Sequence, residues 1–576
     1  MKRFTRVLFV LGVVFLLAVS TVFATVIPVL QTENGMIVSA HPFASEIGLE
    51  ILREGGNAID AAVGVSMALG VVEPYASGIG GEGMMLIYSA QEDKIVCIDF
   101  KSMAPRLATY EVLDFSKSKE WEYTPKAVGI PGIVAGMAKA IEKYGTMSLE
   151  KVLEGPITLA RDGYPVSKTM ATLILDKLPD YDLENYNPET AKIYMPGGFP
   201  AKEGQIIKNP DLAHTLELIA NKGPEVFYKG EIGISIAKDM KEHGGLIYYY
   251  DLLFYKAIVK EPTKGTYRGY KIYSSAPPCA GATLIEILNI MENFELAKYG
   301  FLSPTYIHII AEAVKLGNVD RYAHVADPDF VKVPIKGLTS KEYAKERAKL
   351  INLNKAKTKG KIKEGDPSVY KCKFPIEDIP VLAYAGSLDR DGSTTHFVVA
   401  DKEGNVVSVT QTNSSFWGCG WTVTERGFLL NNEMKNFSSR PGLINSLEPG
   451  KRMRTTICPS IITKDGKPFL TVGTPGAGRI VSTLAQTISA VIDYNLPLQD
   501  AIEAPKFYSK ASYGNKLYIE ARLSDEVLEV LTKLGHEIKN KGKYDLYFGG
   551  IHGIMFEGGK MVSGADPRRG GIAKGY

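Results

Sequence analysis

Residues 391–401 read Asp-Gly-Ser-Thr-Thr-His-Phe-Val-Val-Ala-Asp, a turn-like segment that runs into a strand-forming one. The Gly-Ser pair is typical of a turn, and the β-branched and aromatic run after it predicts a strand. Cutting the bond between Ser393 and Thr394 would place the Thr394 hydroxyl beside its own new α-amine. Such an amine has a pKa of about 7.7 to 8, so it can act as the base that activates the hydroxyl. The alternative is that the threonines serve only the strand, where they are common.

The composition indicates a folded, globular chain. Of the 576 residues, 45% are hydrophobic and 23% are charged, which suits a large buried core. The 67 basic and 64 acidic residues nearly balance and form no basic stripe, so nucleic acid binding is not indicated. The sequence contains no HExxH pair and no closely spaced cysteines, so we expect no metal site. The five cysteines allow no disulfide to be assigned, and they are Cys97, Cys279, Cys372, Cys419 and Cys458.

The N-terminal residues have the layout of a secretory signal. Three basic side chains among the first six residues precede an apolar run over residues 7–23, and small residues follow as far as Ala24. We therefore expect residues 1–24 to be a signal peptide and the chain to be exported, to the periplasm or the extracellular space. Residues 26–30 extend the apolar character, so an uncleaved membrane anchor is the alternative.

A glycine-rich loop follows two predicted helices near the start of the chain. The helices are separated by Gly55-Gly56, and Asn57 is a good N-cap for the second. Residues 78–83 then read GIGGEG, which fits the GxGxxG pattern of dinucleotide-binding loops. Here, however, a helix precedes the glycines and a strand follows, the reverse of the order that such a loop needs. We expect these glycines to let backbone segments approach closely.

The composition changes after residue 350. Residues 352–373 are rich in lysine and predict an exposed, mobile linker. Beyond them the chain predicts strands and then a helix over residues 480–494. Strands with helices on both sides indicate stacked sheets covered by helices. The predicted strands are residues 395–400, 406–412, 427–430, 460–463 and 469–472.

Seven short motifs, taken in order, resemble the γ-glutamyltransferase (glutathione hydrolase) family. They are GGNAIDAA (55–62), GIGGEG (78–83), DFK (99–101), GIPG (129–132), TTHF (394–397), LNNEM (430–434) and GTPG (473–476). The likeness extends over about residues 35–576. It implies an α/β fold of the N-terminal-nucleophile hydrolase type, an αββα sandwich, made as a proenzyme that cuts itself.

The resemblance also implies how the chain is processed and what it does. Cleavage between Ser393 and Thr394 would give a heavy segment of residues 25–393 and a light segment of residues 394–576. Thr394 would attack a γ-glutamyl amide, and water or an acceptor amine would then take the acyl group. Thr412 aligns with the threonine that supports the nucleophile. Gly476 and Ala477 align with the backbone pair of the oxyanion hole. No cofactor is implied.

The family's substrate contacts align less well. The aligned positions are Lys101, Ser414, Glu433, Asn436, Thr455 and Thr456. Lys101 replaces an arginine and loses its bidentate geometry, although a surface role is the alternative for this lysine. Asn436 replaces the aspartate that holds the substrate α-ammonium, and Ser414 stands where asparagine is typical. The chain is also short between residues 437 and 454, where many members carry a lid loop.

These departures leave two other functions open. A site without the aspartate would suit acyl groups that lack an α-amine, as in the related glutaryl and cephalosporin acylases. A catalytically inactive, exported binding protein of the same fold is the second alternative, and the intact threonines argue against it. The expected partners are a γ-glutamyl or related acyl donor, an amine acceptor and the chain's own two segments. His396 is interpreted as structural.

Overall fold

The computed structural model describes residues 27–113, 115, 120–178, 187–358, 360, 362–370 and 393–576. Two seven-stranded sheets form its centre, and every strand pair within them is antiparallel. The leader, Cys372 and residues 359, 361 and 371–373 of the predicted linker lie outside the described residues, as do residues 374–392. In the described part of the chain, no helix is long and apolar enough to cross a membrane.

The first sheet contains the strand that follows Thr394. This strand, Thr395–Asp401, lies third in the sheet, between Gly35–Ser39 and Val406–Thr412. Its register pairs Thr395 with Gln411. Across the sheet the strands are Ile572–Gly575, Gly35–Ser39, Thr395–Asp401, Val406–Thr412, Glu82–Ser89, Lys94–Phe100 and Ile258–Lys260.

The second sheet stacks on the first. Its strands, in order, are Gln31–Thr32, Lys560–Ala565, His552–Glu557, Lys467–Gly473, Ser460–Lys464, Tyr270–Ser274 and Thr263–Tyr267. Two smaller sheets lie outside the sandwich. They consist of Phe507–Ser509, Lys516–Glu520 and Glu537–Lys541, and of Tyr164–Pro165 and Ile206–Ile207.

Alternation along the strands explains the four layers. Phe397 and Val399 pack in the core beneath the first group of helices, whereas Val398 and Ala400 pack between the sheets with Ile461 of the second sheet. Successive side chains of a strand point to opposite faces, so a strand that is apolar throughout is buried on both sides. The αββα sandwich follows directly from this pattern.

Helices cover both outer faces. Those in the first half of the chain are Pro42–Arg53, Ala58–Val72, Tyr110–Leu113, Ile133–Tyr144, Leu149–Asp162, Lys168–Lys177, Pro188–Tyr194, Pro210–Lys222, Glu225–Tyr228, Glu231–Glu242 and Tyr249–Leu253. The later ones are Gly281–Met291, Pro304–His324, Ile335–Leu338, Lys341–Ala348, Ile480–Tyr494, Leu498–Glu503 and Asp525–Lys533. Asn57 caps its helix as predicted, accepting from the backbone N–H groups of Ile59 and Asp60.

Two expectations from the sequence were wrong in part. Residues 427–430 form no strand, because Leu429 and Leu430 pair singly with two different segments instead of building a ladder. The lysine-rich segment is packed where it is described. Ala356 and Ile362 are buried, and the Ala356 N–H donates to the Leu534 carbonyl at 2.7 Å. The apolar residues between its lysines hold this segment against the body of the protein.

Candidate active site

Thr394 lies at the start of the central strand, buried, with the bond to Ser393 intact. Its Oγ1 contacts the Ser393 carbonyl oxygen and lies 3.1 Å from Thr412 Oγ1. Thr412 Oγ1 in turn donates to the same Ser393 carbonyl at 2.6 Å and accepts from the Ser414 N–H at 2.8 Å. The hydroxyl of Thr394 is thus next to the carbonyl that it would attack, and Thr412 polarises that carbonyl.

Every polar group of Ser393 is hydrogen-bonded. Its N–H donates to the Ser414 carbonyl at 3.1 Å. Its Oγ donates to the carbonyl of Tyr75 at 2.5 Å and lies 2.9 Å from that of Ala76. The residue before the nucleophile is therefore fixed at its amide, its carbonyl and its side chain.

The buried carboxyl of Glu73 is hydrogen-bonded to the residue that follows the nucleophile. Thr395 Oγ1 donates to Glu73 Oε2 at 2.8 Å, and the Tyr75 hydroxyl donates to Glu73 Oε1 at 2.7 Å. Burial raises the pKa of Glu73, and the two hydrogen bonds and the charge of Arg569 oppose that rise. Arg569 Nη1 also donates to the Thr394 carbonyl at 3.3 Å. Glu73 was not predicted from the sequence, although its position directly after a helix of small residues, Ala58–Val72, could have indicated it.

His396 is placed for a structural role. Its Nδ1 lies 2.8 Å from Thr410 Oγ1, and a Cβ on Gly473 would lie within 2.5 Å of its ring. Burial, and to a smaller extent His552, hold the pKa of His396 well below its usual value. The ring therefore stays neutral and fills the space between the two sheets, where Gly473 alone leaves room for it.

Lys101 is fully buried in an ion-pair cluster, so its surface alternative is wrong. It pairs with Glu82, and its Nζ lies 3.8 Å from Glu433 Oε2. Burial lowers the pKa of Lys101, and Glu433 opposes this effect. The second oxygen of Glu82 accepts from the Ser102 N–H at 2.8 Å. Sequence reasoning missed Glu82, although it is the charged residue inside the glycine-rich loop.

Asn436 connects this cluster to the nucleophile. Its Nδ2 donates to Glu433 Oε2 at 2.8 Å and to Ser414 Oγ at 3.2 Å. Ser414 in turn contacts Thr412 through its backbone N–H. A continuous series of contacts therefore runs from Lys101 through Glu433, Asn436 and Ser414 to the threonine pair.

The glycine-rich loop allows this assembly. A Cβ on Gly81 would lie 2.4 Å from the Thr412 carbonyl oxygen, and a Cβ on Gly80 would lie 2.1 Å from that of Leu429. Only glycine can bring the Glu82 strand this close to the Thr412 strand. The expectation that these glycines serve close backbone approach is confirmed.

The remaining predicted site residues are Thr455, Thr456, Gly476 and Ala477. Thr455 Oγ1 is 3.5 Å from Cys279 Sγ. Burial raises the pKa of Cys279, and the charge of Lys101 opposes that rise. Thr456, the next residue, is half-buried. Gly476 and Ala477 form a turn just after Gly473, with φ of 130° and 48°. Thr412 donates to the Ser393 carbonyl, and the oxyanion hole at Gly476 and Ala477 stays a prediction.

The short segment at the predicted lid position folds back onto the site. Asn445 Nδ2 donates to the Asn436 carbonyl at 2.8 Å, and the Ser438 N–H donates to the Asn445 carbonyl at 2.9 Å. The Tyr110 hydroxyl donates to the Ser438 carbonyl at 2.9 Å. This segment therefore holds the backbone of Asn436 through the hydrogen bond from Asn445.

Two groups of side chains in the described part of the chain have metal-ligand character. One combines the buried Asp239 with the exposed Glu242 and His243. The other is buried and comprises His308, Glu312 and His536. In the buried group, His308 Nδ1 and His536 Nε2 lie 2.8 Å apart, and Lys315 Nζ donates to Glu312 Oε1 at 2.7 Å. His308 Nε2 lies 2.9 Å from the Asn352 carbonyl oxygen, and no metal was predicted from the sequence.

Two stacked antiparallel sheets between helices, with a buried threonine at the head of a central strand, define an N-terminal-nucleophile hydrolase. The γ-glutamyltranspeptidase family model matches residues 44–576. A glutathione hydrolase proenzyme of Escherichia coli is 39% identical over 93% of this chain and 91% of its own length. The Acylase ACY 1 proenzyme of a Pseudomonas species (strain SE83) is 36% identical over 92% and 91%.

A solved structure agrees with these relatives. The cephalosporin acylase from Bacillus halodurans superposes with a TM-score of 0.87 at 29% identity, covering 97% of this chain and 98% of the acylase. The chain therefore belongs to the γ-glutamyltranspeptidase family. The resemblance, the fold class and the enzyme class expected from the sequence are confirmed.

Proposed function

We propose that the chain cuts itself between Ser393 and Thr394 and then hydrolyses or transfers γ-glutamyl groups of glutathione-like amides. The relatives named proenzymes support the first step. The geometry supports it as well, because Thr394 Oγ1 already contacts the Ser393 carbonyl oxygen and Thr412 donates to that oxygen. The products are a heavy segment that ends at Ser393 and a light segment that begins at Thr394.

Self-cleavage needs no reactant other than water. Thr394 Oγ attacks the Ser393 carbonyl carbon, and the C–N bond to the Thr394 nitrogen breaks as that nitrogen takes up the hydroxyl proton. Water then hydrolyses the ester, which releases the Ser393 carboxylate and restores the Thr394 hydroxyl beside a free α-amine. This amine replaces the amide that it was part of, so the base for turnover is made by the cut itself.

Turnover repeats the same attack on an external amide. The Thr394 hydroxyl, deprotonated by the α-amine, forms an acyl-enzyme, and the leaving amine takes the proton. Water or an acceptor amine then attacks the ester and frees Thr394. We assign support of the hydroxyl to Thr412 and the oxyanion hole to Gly476 and Ala477. His396 is not needed as a base, because its Nδ1 is bound to Thr410.

The charge of the Lys101 cluster is the observation that supports γ-glutamyl recognition. Lys101 contributes one positive charge, and its ion-pair partners Glu82 and Glu433 contribute two negative charges. The buried Arg452 also acts on Lys101, but Arg452 is itself paired with Asp99 and Asp329. A γ-glutamyl group brings a carboxylate and an ammonium, whereas a glutaryl group brings the carboxylate alone. Only the γ-glutamyl head group supplies a cation for the excess negative charge, since a buried charge needs a partner.

We place the donor head group among the residues named from the sequence. The α-carboxylate would bind Lys101, Thr455 and Thr456, and the α-ammonium would bind Glu433 and the carbonyl of the Asn436 side chain. Ser414 would orient Asn436 through the hydrogen bond between them. Glu433 thus replaces part of the charge that an aspartate at position 436 would supply.

A glutaryl-type acylase is the second candidate. It is favoured by the neutral Asn436 and by the close superposition on the cephalosporin acylase. An inactive binding protein is disfavoured, because Thr394, Thr412 and the scissile carbonyl are assembled for reaction.

The deciding experiment compares two donors on self-cleaved protein. Release of p-nitroaniline from γ-glutamyl-p-nitroanilide is measured against release from glutaryl-p-nitroanilide, with Thr394→Ala as the blank. We expect mass analysis to show two segments and the γ-glutamyl donor to be preferred. A clear preference for the glutaryl donor would establish the acylase, and an uncut, inactive chain would establish the binding protein.

Export is part of the same proposal, since residues 1–24 have the layout of a signal. Fractionation of cells that express the full chain, with the N-terminus sequenced, tests it. Mature protein beginning near residue 25 outside the cytoplasm is expected. Membrane-bound protein with an intact N-terminus would instead support the anchor, and cytoplasmic protein would refute export.

A further inference from the structure

The loop over residues 73–76, here called the clamp loop, contacts the residues on both sides of the nucleophile. Ser393 Oγ donates to the Tyr75 carbonyl at 2.5 Å and lies 2.9 Å from the Ala76 carbonyl. Thr395 Oγ1 donates to Glu73 Oε2 at 2.8 Å. Thr394 is thus held between two anchored neighbours.

The clamp loop is itself fixed. The Ala76 N–H donates to the Glu73 carbonyl at 2.8 Å, and the Tyr75 hydroxyl returns to the Glu73 carboxyl. The Asn413 N–H donates to the Ala76 carbonyl and the Trp417 N–H to the Tyr75 carbonyl, each at 3.0 Å. A loop with so many bonds can hold a reacting group within the narrow tolerance that attack requires.

We propose that the clamp loop positions the scissile bond, with Ser393 serving self-cleavage alone and Glu73 serving both self-cleavage and turnover. The reason is the order of events. Before the cut, both Ser393 and Thr395 hold Thr394 in place. After the cut, Ser393 is the free end of the other segment, whereas Thr395 is still bonded to the nucleophile and to Glu73. The turnover half of this inference rests on the proposed function.

Glu73 acts through Thr395 and is a positioning residue. Its two oxygens accept from two hydroxyls, so a glutamine in its place can accept from only one of them. The carboxyl also faces Arg569, which donates to the Thr394 carbonyl. Glu73→Gln therefore loosens Thr395 while it keeps the size of the side chain.

The experiment measures two rates for each variant. One is the rate at which uncut chain becomes two segments, followed by mass spectrometry, and the other is turnover per cleaved chain with γ-glutamyl-p-nitroanilide. We expect Ser393→Ala to slow cleavage by roughly 10- to 100-fold, the range for a misplaced reacting group, and to leave turnover per cleaved chain within about twofold. We expect Glu73→Gln to slow both by about tenfold or more.

Matched variants separate positioning from general destabilisation. Ser408→Ala removes another buried serine hydroxyl, on the neighbouring strand, and Glu286→Gln alters another buried carboxyl, on the helix Gly281–Met291. Both should cleave and turn over like the unaltered chain. Thr395→Val should reproduce Glu73→Gln, and Thr395→Ser, which keeps the donor, should not.

Several results would overturn the inference. They are cleavage of Ser393→Ala at the unaltered rate, equal losses of cleavage and turnover in that variant, or a Glu73→Gln effect matched by Glu286→Gln. If the unaltered chain cleaves but hydrolyses neither nitroanilide, the proposed function fails, and the cleavage rates of Ser393→Ala and Glu73→Gln still decide whether the clamp loop positions the bond. An unaltered chain that never cleaves refutes both.

Discussion

Replacing Glu82 by glutamine should shift donor preference toward glutaryl. Glu82 contributes one of the two negative charges around Lys101, and its exchange leaves Lys101 and Glu433 as a neutral pair. The carboxylate is common to the γ-glutamyl and glutaryl donors, so any change in its binding to Lys101 cancels in the ratio of their kcat/KM values. What does not cancel is the attraction between Glu82 and the α-ammonium, which the γ-glutamyl donor alone carries.

The size of the shift follows from Coulomb's law. Glu82 contacts Lys101, whose Nζ lies 3.8 Å from Glu433. The Lys101 amino group would therefore separate an ammonium bound at Glu433 from the Glu82 carboxylate. At about 6 Å and an effective dielectric constant of about 20, a carboxylate stabilises an ammonium by about 3 kcal/mol. Solvent that enters with the donor would reduce this value. We therefore expect the γ-glutamyl to glutaryl ratio to fall by roughly 10- to 100-fold, at about 1.4 kcal/mol per tenfold.

The assay is initial-rate kinetics on cleaved protein with both nitroanilides. Glu312→Gln is the control, because Glu312 also forms a buried pair with a lysine, Lys315, outside the site. The cleaved fraction is measured for each variant, so that poor maturation is not mistaken for poor binding. A ratio that stays within about twofold of the unaltered enzyme would refute the charge argument, because the attraction lost at this distance is several times RT.

Three other outcomes are expected. Thr412→Val should slow self-cleavage by about 100- to 1000-fold, as the loss of an oxyanion donor does, whereas Thr410→Val on the same strand should not; gel quantification of uncut chain checks this. Asn436→Asp should raise the γ-glutamyl to glutaryl ratio and make it depend on pH. Asn436 Nδ2 lies 2.8 Å from Glu433 Oε2, so an aspartate at this position would share a proton with Glu433. This dependence is measured as kcat/KM against pH, and a flat profile would contradict it. Burial lowers the pKa of His552 from 6.5 to about 4, so its contribution to stability is present above pH 6.5 and is lost as pH falls toward about 4. The loss is up to about 1.4 kcal/mol per pH unit. Urea unfolding at several pH values measures this loss, and His552→Gln should reduce it.

The part of the site that depends on local sequence could be predicted well. Two adjacent threonines at a turn-to-strand junction indicated a nucleophile, and the structure places Thr394 at that junction with Thr412 beside it. The helix 480–494 and the strand 406–412 have the predicted bounds. These features follow from periodicity and turn chemistry within a few residues, which sequence reasoning handles directly.

The parts that depend on contacts between distant segments could not be predicted. Glu82 begins one strand, and Lys101 directly follows the neighbouring strand, Lys94–Phe100. Glu433, the second partner of Lys101, lies more than three hundred residues later in the chain. Lys101 alone gave no sign that it was buried, because lysines are usually exposed. Residues 427–430 failed as a strand because strand formation needs a neighbour with a free edge, which composition does not report.

On the proposed function, we expect donor preference to depend on the whole charge cluster and not on position 436 alone. Taken alone, the neutral Asn436 suggests that the α-ammonium has lost its partner, which favours an acylase. In the structure, the Asn436 amide donates to Glu433, and Glu82 supplies a second negative charge beside Lys101. Because electrostatic interactions extend over several ångströms in a buried site, a carboxylate at another position can stabilise the same ammonium. We therefore infer that the missing aspartate changes where the negative charge lies, and that a γ-glutamyl head group bound at Glu433 would still meet two carboxylates and one lysine.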